Sequence, residues 1–328
     1  MTQRTLNILF LGGGSIGAIY AFLLSHQNCT ITIAVRSSFP VVSSHGYKLT
    51  STTFGNTIYI PHRVISSPLD LSSDEIYDYI FITTKASSPS LPLQGYPVSP
   101  ATTIVLIQNG IGVEAAYKAA YPDTPLLSGV AYIIASQPSP GEILQSGDAM
   151  SLHLGAFPPS STGLQEHKDI VSRLTAAGLQ TTLHPSILPH RWKKLLFNSC
   201  YATACAATGL GTLSVAQIPG GLELLLALGH EIRETAGAAG ECKMTPEEVE
   251  EFFRIQTKGL DMVPSMLQDA QKGREMEVEA LVGNVVRIAE RWGVEVPRLR
   301  AVYTVLSGMN ERFRMEREKK LLQDGGRV

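Results

Sequence analysis

The sequence predicts an α/β domain built on a largely parallel sheet, followed by an all-α domain, and three observations predict it. Through residue 187, short apolar runs rich in Ile, Val and Thr alternate with stretches of helical period. From residue 188 onward only helical patterns are found. Charge follows the same division: residues 1–100 carry 9 charged side chains, 101–228 carry 13, and 229–328 carry 34, split 16 basic to 18 acidic. A dense and balanced set of charges is what solvated helix faces need. The join falls near residues 185–189, giving domains 1–187 and 188–328.

Residues 7–11 form a continuous apolar run, as expected of a strand buried on both faces, and Ile16, Ala18, Ile19, Phe22 and Leu23 then recur at helical spacing. Residues 30–35 give a second strand and complete a βαβ unit. Residues 47–52 and 57–60 read as an antiparallel pair around Phe54-Gly55-Asn56. Two more buried strands are expected at 79–84 and 103–108, and another at 126–134. Residues 143–145 and 151–154 flank Ser146-Gly147-Asp148 in the manner of a hairpin. A helix over 164–177 and a strand over 180–183 close this half. The second half is expected to hold helices over 189–207, 222–239 and 277–292, with a long terminal helix from Pro297. Thr245-Pro246-Glu247-Glu248 opens a further helix with a Thr cap, Pro at the first helical position and Glu at the third.

Composition excludes several classes of function. At 328 residues and 44% hydrophobic, the chain can bury two cores. Charged residues make up 17%, the net charge is −2 and there is no basic block, so nucleic acid is not an expected partner. The longest uncharged stretch, 195–222, is broken by Asn198, Ser199, several Thr and Gly, and Pro219, which suits a buried helix and loop rather than a membrane span. Cys29, Cys200, Cys205 and Cys242 form no Cys-x-x-Cys and lack His at metal-ligand spacing. Small buried thiols in a reducing compartment are therefore expected, with no metal site. No secretory signal is evident at the start, and a cytoplasmic location is the expectation.

Gly12-Gly13-Gly14-Ser15-Ile16-Gly17 follows the first strand and opens the first helix, the context in which Gly-x-Gly-x-x-Gly binds a dinucleotide. Gly12 allows the tight turn, Gly14 the approach of a pyrophosphate, and Gly17 close packing of helix on strand. The plain alternative is a glycine turn without a ligand. The second strand ends in Val35-Arg36-Ser37-Ser38, with no carboxylate to take a ribose 2′-hydroxyl. Arg36 suits a 2′-phosphate, hence NADPH rather than NADH, unless it merely faces solvent. Lys85 and Asn109 lie just past the carboxyl ends of two buried strands, where ligands of open α/β sheets bind. Lys194 and Asn198 are four apart on one helix face, while Arg191 and Lys193 are expected to point elsewhere. Ser265 and Glu277 flank Lys272-Gly273; with Lys194 they could supply a hydroxyl, a carboxylate and a proton donor.

In this order, Gly12 to Gly17, Arg36, Thr84-Lys85-Ala86, Gln108-Asn109-Gly110-Ile111-Gly112, Trp192-Lys193-Lys194-Leu195-Leu196-Phe197-Asn198, and Ser265-Met266-Leu267-Gln268-Asp269 followed by Glu277 resemble the ketopantoate reductase (2-dehydropantoate 2-reductase) family over nearly the whole chain. The resemblance implies a Rossmann domain and a helical domain like the C-terminal domain of 6-phosphogluconate dehydrogenase, with the active site in the cleft between. It implies Lys194 as general acid, held charged by Glu277, which also contacts the substrate hydroxyl region. Asn198, Ser265 and Asn109 are implied on the substrate. Gly12, Gly13, Gly14, Ser15, Ile16, Gly17, Arg36, Lys85, Asn109 and Glu277 are implied on the cofactor side. The expected reaction is NADPH-dependent reduction of a small 2-oxo acid, ketopantoate first, with another 2-oxo acid or carbonyl compound as the alternative and a non-catalytic NADPH sensor as the alternative of another class. A homodimer through the helical domain is a further expectation. Ala202, Met262 and the stretch 209–213 stand where the family has pocket amides, so the distal part of the substrate is where this chain is expected to differ.

Overall fold

The structure, a computed structural model, describes residues 4–86, 93–160 and 164–325; residues 1–3, part of the start in which no secretory signal is evident, lie outside them. The chain divides into two compact units, Met1–Gln108 with Val113–Ile187, and Asn109–Gly112 with Leu188–Val328. The short segment 109–112 thus packs with the helical unit, although the division expected from sequence assigned it to the first domain.

The first unit holds a ten-stranded sheet. Its strands are β1 (Leu6–Leu11), β2 (Cys29–Ala34), β3 (Tyr47–Ser51), β4 (Gly55–Tyr59), β5 (Arg63–Ile65), β6 (Tyr79–Ile82), β7 (Thr103–Leu106), β8 (Leu126–Ser136), β9 (Glu142–Ala156) and β10 (Gln180–His184). Six of them run parallel in the order β5-β2-β1-β6-β7-β8. This is the classical doubly wound order, and its switch point lies between β1 and β6. β6 and β7 are buried at every position, and β1 and β2 at every position but one, as strands covered on both faces must be. Helices α1 (Ser15–Ser25), α2 (Phe39–His45), α3 (Glu114–Ala120) and α4 (Lys168–Ala176) complete the unit. α2, α3 and the three-residue β5 carry too little periodicity to read from sequence.

The expected hairpin at Ser146-Gly147-Asp148 is absent; 142–156 is one strand. Both of its halves pair antiparallel with β8, and the register jumps from Ile134↔Ser146 to Tyr132↔Ser151. Gly147, at φ +83°, takes up the irregularity. The other edge of β9 accepts β3 alongside its first half and β10 alongside its second. Alternation alone cannot tell a hairpin from a bulged strand flanked by two shorter ones.

One buried cation holds several parts of this unit together. Arg173 on α4, with its side chain 1% exposed, donates to the carbonyls of Gln27 (2.6 Å), Asn28 (3.0 Å) and Arg4 (2.6 Å) and to the Asp169 carboxylate. Arg173→Ala removes a charged donor shared by three carbonyls and is expected to lower unfolding free energy by about 3 kcal/mol or more, measured by urea titration. A loss below about 1 kcal/mol would show that water replaces the guanidinium.

The second unit is helical: α5 (Leu188–Leu195), α6 (Ala202–Thr208), α7 (Thr212–Gln217), α8 (Gly221–Ala238), α9 (Pro246–Gln256), α10 (Ser265–Gln271), α11 (Asn284–Trp292) and α12 (Pro297–Gly325). Between α5 and α6 the chain runs without a break through a π-helical segment, Leu196–Tyr201, and a second π segment, Glu279–Gly283, leads into α11. α9 starts with the Thr245–Glu248 capping box expected from sequence. Glu231 on the central helix α8 caps α12, accepting from the backbone N–H of Arg298 and Leu299. Trp192 is fully buried, and its ring N–H donates to Glu241 at 2.7 Å, fixing the rotation of α5 about its axis. All four cysteines are free and buried. Among the described residues, no helix is long and apolar enough to cross a membrane.

Candidate functional site

In the first unit the glycine turn sits at the switch point of the sheet. Gly12 has φ +110°, and a Cβ there would lie 2.7 Å from the Thr84 nitrogen and 2.8 Å from the Thr83 carbonyl carbon. At Gly17 a Cβ would stand 2.0 Å from the Gly12 oxygen, and at Gly13 it would overlap the Tyr47 hydroxyl and Val35. These three glycines are required by packing. Gly14 is different: a Cβ there would meet nothing within 4 Å. Gly14 is also the N-cap of α1 and brings no capping side chain, so the helix terminus relies on other acceptors. Open space in front of an uncapped helix N-terminus is what a pyrophosphate requires. The loop is held by Thr83 Oγ1 donating to the Gly12 carbonyl at 2.6 Å and by the Tyr47 hydroxyl donating to the Gly13 carbonyl at 3.1 Å.

Ser15 and Ile16 open α1 and are half-buried. Arg36 stands exposed two residues past the end of β2, and Lys85 is exposed three residues past the end of β6. Gln108, which follows β7, donates to the Thr84 carbonyl and accepts from Tyr117, tying the ends of β6 and β7 together. These residues fit a dinucleotide: a tight turn, an uncapped helix, open space at Gly14, and an exposed cation, Arg36, two residues past the end of β2.

In the second unit the segment 109–112 is strapped onto the helices. Lys194 Nζ donates to Asn109 Oδ1 at 2.8 Å. Arg191, 2% exposed, donates to the Gly110 carbonyl at 2.7 Å. The Ile111 N–H donates to the Ala280 carbonyl at 3.1 Å, and Asn284 Nδ2 donates to the Ile111 carbonyl at 2.6 Å. Gly110 takes φ +99°, with Ala280 backbone 2.3 Å from where a Cβ would be. The two π segments belong to the same construction. Ser199 of the first donates to the Leu281 carbonyl of the second at 2.5 Å, and Ala280 of the second takes the strap. π turns free backbone groups from the regular ladder, and here carbonyls of the second π segment serve as docking points.

Lys194 is half-buried, and its ammonium is pushed down to about 8, first by burial and then by the charge of Arg191, with Glu277 pulling the other way. Glu277 is 8% exposed and its carbonyl accepts the Leu281 N–H, so it enters the second π segment directly. One sequence expectation changes here. Arg191 does not point away: three residues before Lys194, it is a neighbour on the same helix, buried beside it. Glu277 favours the ammonium but does not outweigh burial. Lys193 does turn away, exposed toward Glu248 at 3.7 Å.

Asn198 lies half-buried in the first π segment, where i→i+5 bonding widens the turn and alters the simple four-residue relation to Lys194. Ser265 is exposed at the start of α10, which packs on α6. Ala202 is 3% exposed in the apolar core of the unit. The other two departures prove to be one feature: Thr212 N–H donates to the Met262 carbonyl, Met262 N–H donates to Thr212 Oγ1, and Asp261 accepts from Leu213 and Ser214. The stretch 209–213 therefore docks on the 261–262 turn. Asn109 as the partner of Lys194 was missed because 85 residues separate the two in the chain.

Comparison with known proteins places these features in context. The family description "Ketopantoate reductase PanE/ApbA" matches residues 8–159, and its C-terminal counterpart matches residues 186–310. A Saccharomyces cerevisiae protein, the uncharacterised YDL144C, is 31% identical over 91% of this chain and 92% of its own. The crystal structure of 2-dehydropantoate 2-reductase from Methylococcus capsulatus superposes with a TM-score of 0.83 at 30% identity, covering 94% of this chain and 98% of that one. D-Mandelate dehydrogenase, solved with NADH and anilino(oxo)acetate, shares the fold at a TM-score of 0.84 and 16% identity, over 94% and 99% of the two chains.

Proposed function

The chain belongs to the ketopantoate reductase (PanE/ApbA) family of nicotinamide-dependent oxidoreductases, and from that premise we propose that it reduces a 2-oxo acid with NADPH, ketopantoate to pantoate being the leading assignment. The observation that carries this reading is the Lys194 ammonium, half-buried, bonded to Asn109 and pushed down to about 8. An acid close to neutral pH can polarise a keto oxygen and then give up its proton to the alkoxide. When bound, the reduced nicotinamide supplies the hydride to the keto carbon.

Each residue then has a stated task. Gly12, Gly13 and Gly17 shape the turn, and Gly14 with the start of α1, Ser15 and Ile16, receives the pyrophosphate. Arg36 takes the 2′-phosphate, and Lys85 lies on the cofactor side with it. Asn109 orients Lys194; the same amide is the group that meets cofactor and substrate together. Glu277 draws the Lys194 proton affinity upward against burial and contacts the substrate hydroxyl region. Asn198 and Ser265 bind the acid.

The test is NADPH oxidation against a panel of 2-oxo acids that includes ketopantoate and its deoxy analogue, ranked by kcat/KM. Ketopantoate at the head of the panel supports the assignment. A deoxy acid ahead of it moves the substrate to another member of the class, and NADPH bound with no acid reduced removes the reading. Arg36→Ala carries a separate expectation. Residues 35–38 carry no carboxylate to repel a 2′-phosphate, so the loss of Arg36 should raise KM for NADPH by about tenfold or more and leave NADH nearly unaffected, narrowing the preference. Wild-type protein that binds NADH as well as NADPH would contradict the assignment of Arg36.

A further inference from the structure

We propose that Arg191 is a positioning residue for the reaction, holding the Gly110 carbonyl so that the neighbouring Asn109 amide oxygen stays on the Lys194 ammonium. The inference rests on the proton-donor reading of Lys194 and goes beyond it. Arg191 and Lys194 lie three apart on α5, hence on one side of it. They reach adjacent residues of the strap, Arg191 to Gly110 at 2.7 Å and Lys194 to Asn109 at 2.8 Å. Two points of attachment from one helical turn fix both the position and the tilt of a short peptide, which one bond cannot do.

The strap is also docked by Ala280 and Asn284, and the bond from Arg191 adds an attachment on the residue next to Asn109. Arg191 also places a second positive charge beside Lys194, which loosens the Lys194 proton. Among the described residues, the groups facing Lys194 include Arg191 on its own helix, Glu277 at the entry to the second π segment, and the neutral Asn109 on the strap. After burial, Arg191 is the larger influence pushing Lys194 toward about 8, and Glu277 opposes it. Arg191 therefore does two things for one residue, orienting its partner and loosening its proton.

The experiment is the pH profile of kcat/KM, with NADPH and the best acid of the panel, for wild type, Arg191→Met, Arg191→Gln and Lys194→Ala. Arg191→Met, which loses both donor and charge, should lower kcat by about tenfold or more and move the alkaline limb up by about one pH unit, with KM for NADPH unchanged. Arg191→Gln keeps a donor for the Gly110 carbonyl and loses the charge, so it should retain most of kcat and show the same upward move. It carries the test by itself if Arg191→Met does not fold. An alkaline limb that stays at the wild-type position in Arg191→Gln overturns the inference, as does unchanged kcat in a folded Arg191→Met. Lys194→Ala separates the two readings. If it keeps the wild-type limb, Lys194 is not the proton donor. If it loses activity while the Arg191 variants behave as wild type, only the role of Arg191 fails.

Discussion

Lys194→Ala is expected to lower kcat for the 2-oxo acid by roughly 10²–10⁴ while leaving NADPH affinity nearly unchanged. The size follows from what the ammonium supplies: a donor aimed at an oxygen that becomes an alkoxide as hydride arrives. NADPH affinity should be largely spared because the groups proposed to hold its phosphates, the glycine turn, the start of α1 and Arg36, all belong to the other unit. Stopped-flow NADPH oxidation together with fluorescence titration of the cofactor separates the two quantities. A near-normal kcat would remove Lys194 from the mechanism. Equal loss of NADPH binding would show that the substitution disturbs more than the proton donor.

Gly110→Ala is expected to have the next largest effect. The position has φ +99°, where a side chain is strained, and the new methyl would stand 2.3 Å from the Ala280 oxygen and 2.6 Å from its carbonyl carbon. Backbone must move, and the strap carries Asn109. A shift of about 1 Å at a catalytic group can lower the rate on the order of 10²-fold, so kcat should fall by that order, with a smaller fall in thermal stability. Gly112 is the control: its φ is +70°, yet the nearest atom to a Cβ there is 3.6 Å away. Gly112→Ala should lower kcat much less, and equal losses in the two variants would locate the effect in backbone conformation rather than in the clash with Ala280.

What sequence reading could reach, and what it could not, follows from the range of the interactions. β1, β6 and β7 were legible because strands covered on both faces must be apolar throughout, and the glycine turn was legible because its three packed positions tolerate no side chain. The bulged strand β9 was misread as a hairpin because alternation records which face a residue takes and not which strand lies beside it. The π segments were invisible because the assumed period of 3.6 leaves no place for an extra residue per turn. The assignment of 109–112 to the helical unit depends on Arg191, Ala280 and Asn284, none of them near in sequence. Arg191 itself had a local signal, since three-residue spacing makes it a neighbour of Lys194. Its burial, which gives that spacing meaning, is a property of the packed unit.

The most direct measurement of the central claim is kcat/KM for the 2-oxo acid as a function of pH, taken beside unfolding stability over the same range. If Lys194 acts as an ammonium lowered to about 8, kcat/KM is flat below that value and falls about tenfold per pH unit above it. Stability must move the other way. The folded chain binds this proton more weakly than the unfolded chain does, so between about 8 and the ordinary lysine range Lys194 contributes a stability that rises with pH. Activity falling while this contribution to stability is gained is the predicted result; kcat/KM that remains flat to pH 10 would contradict the account.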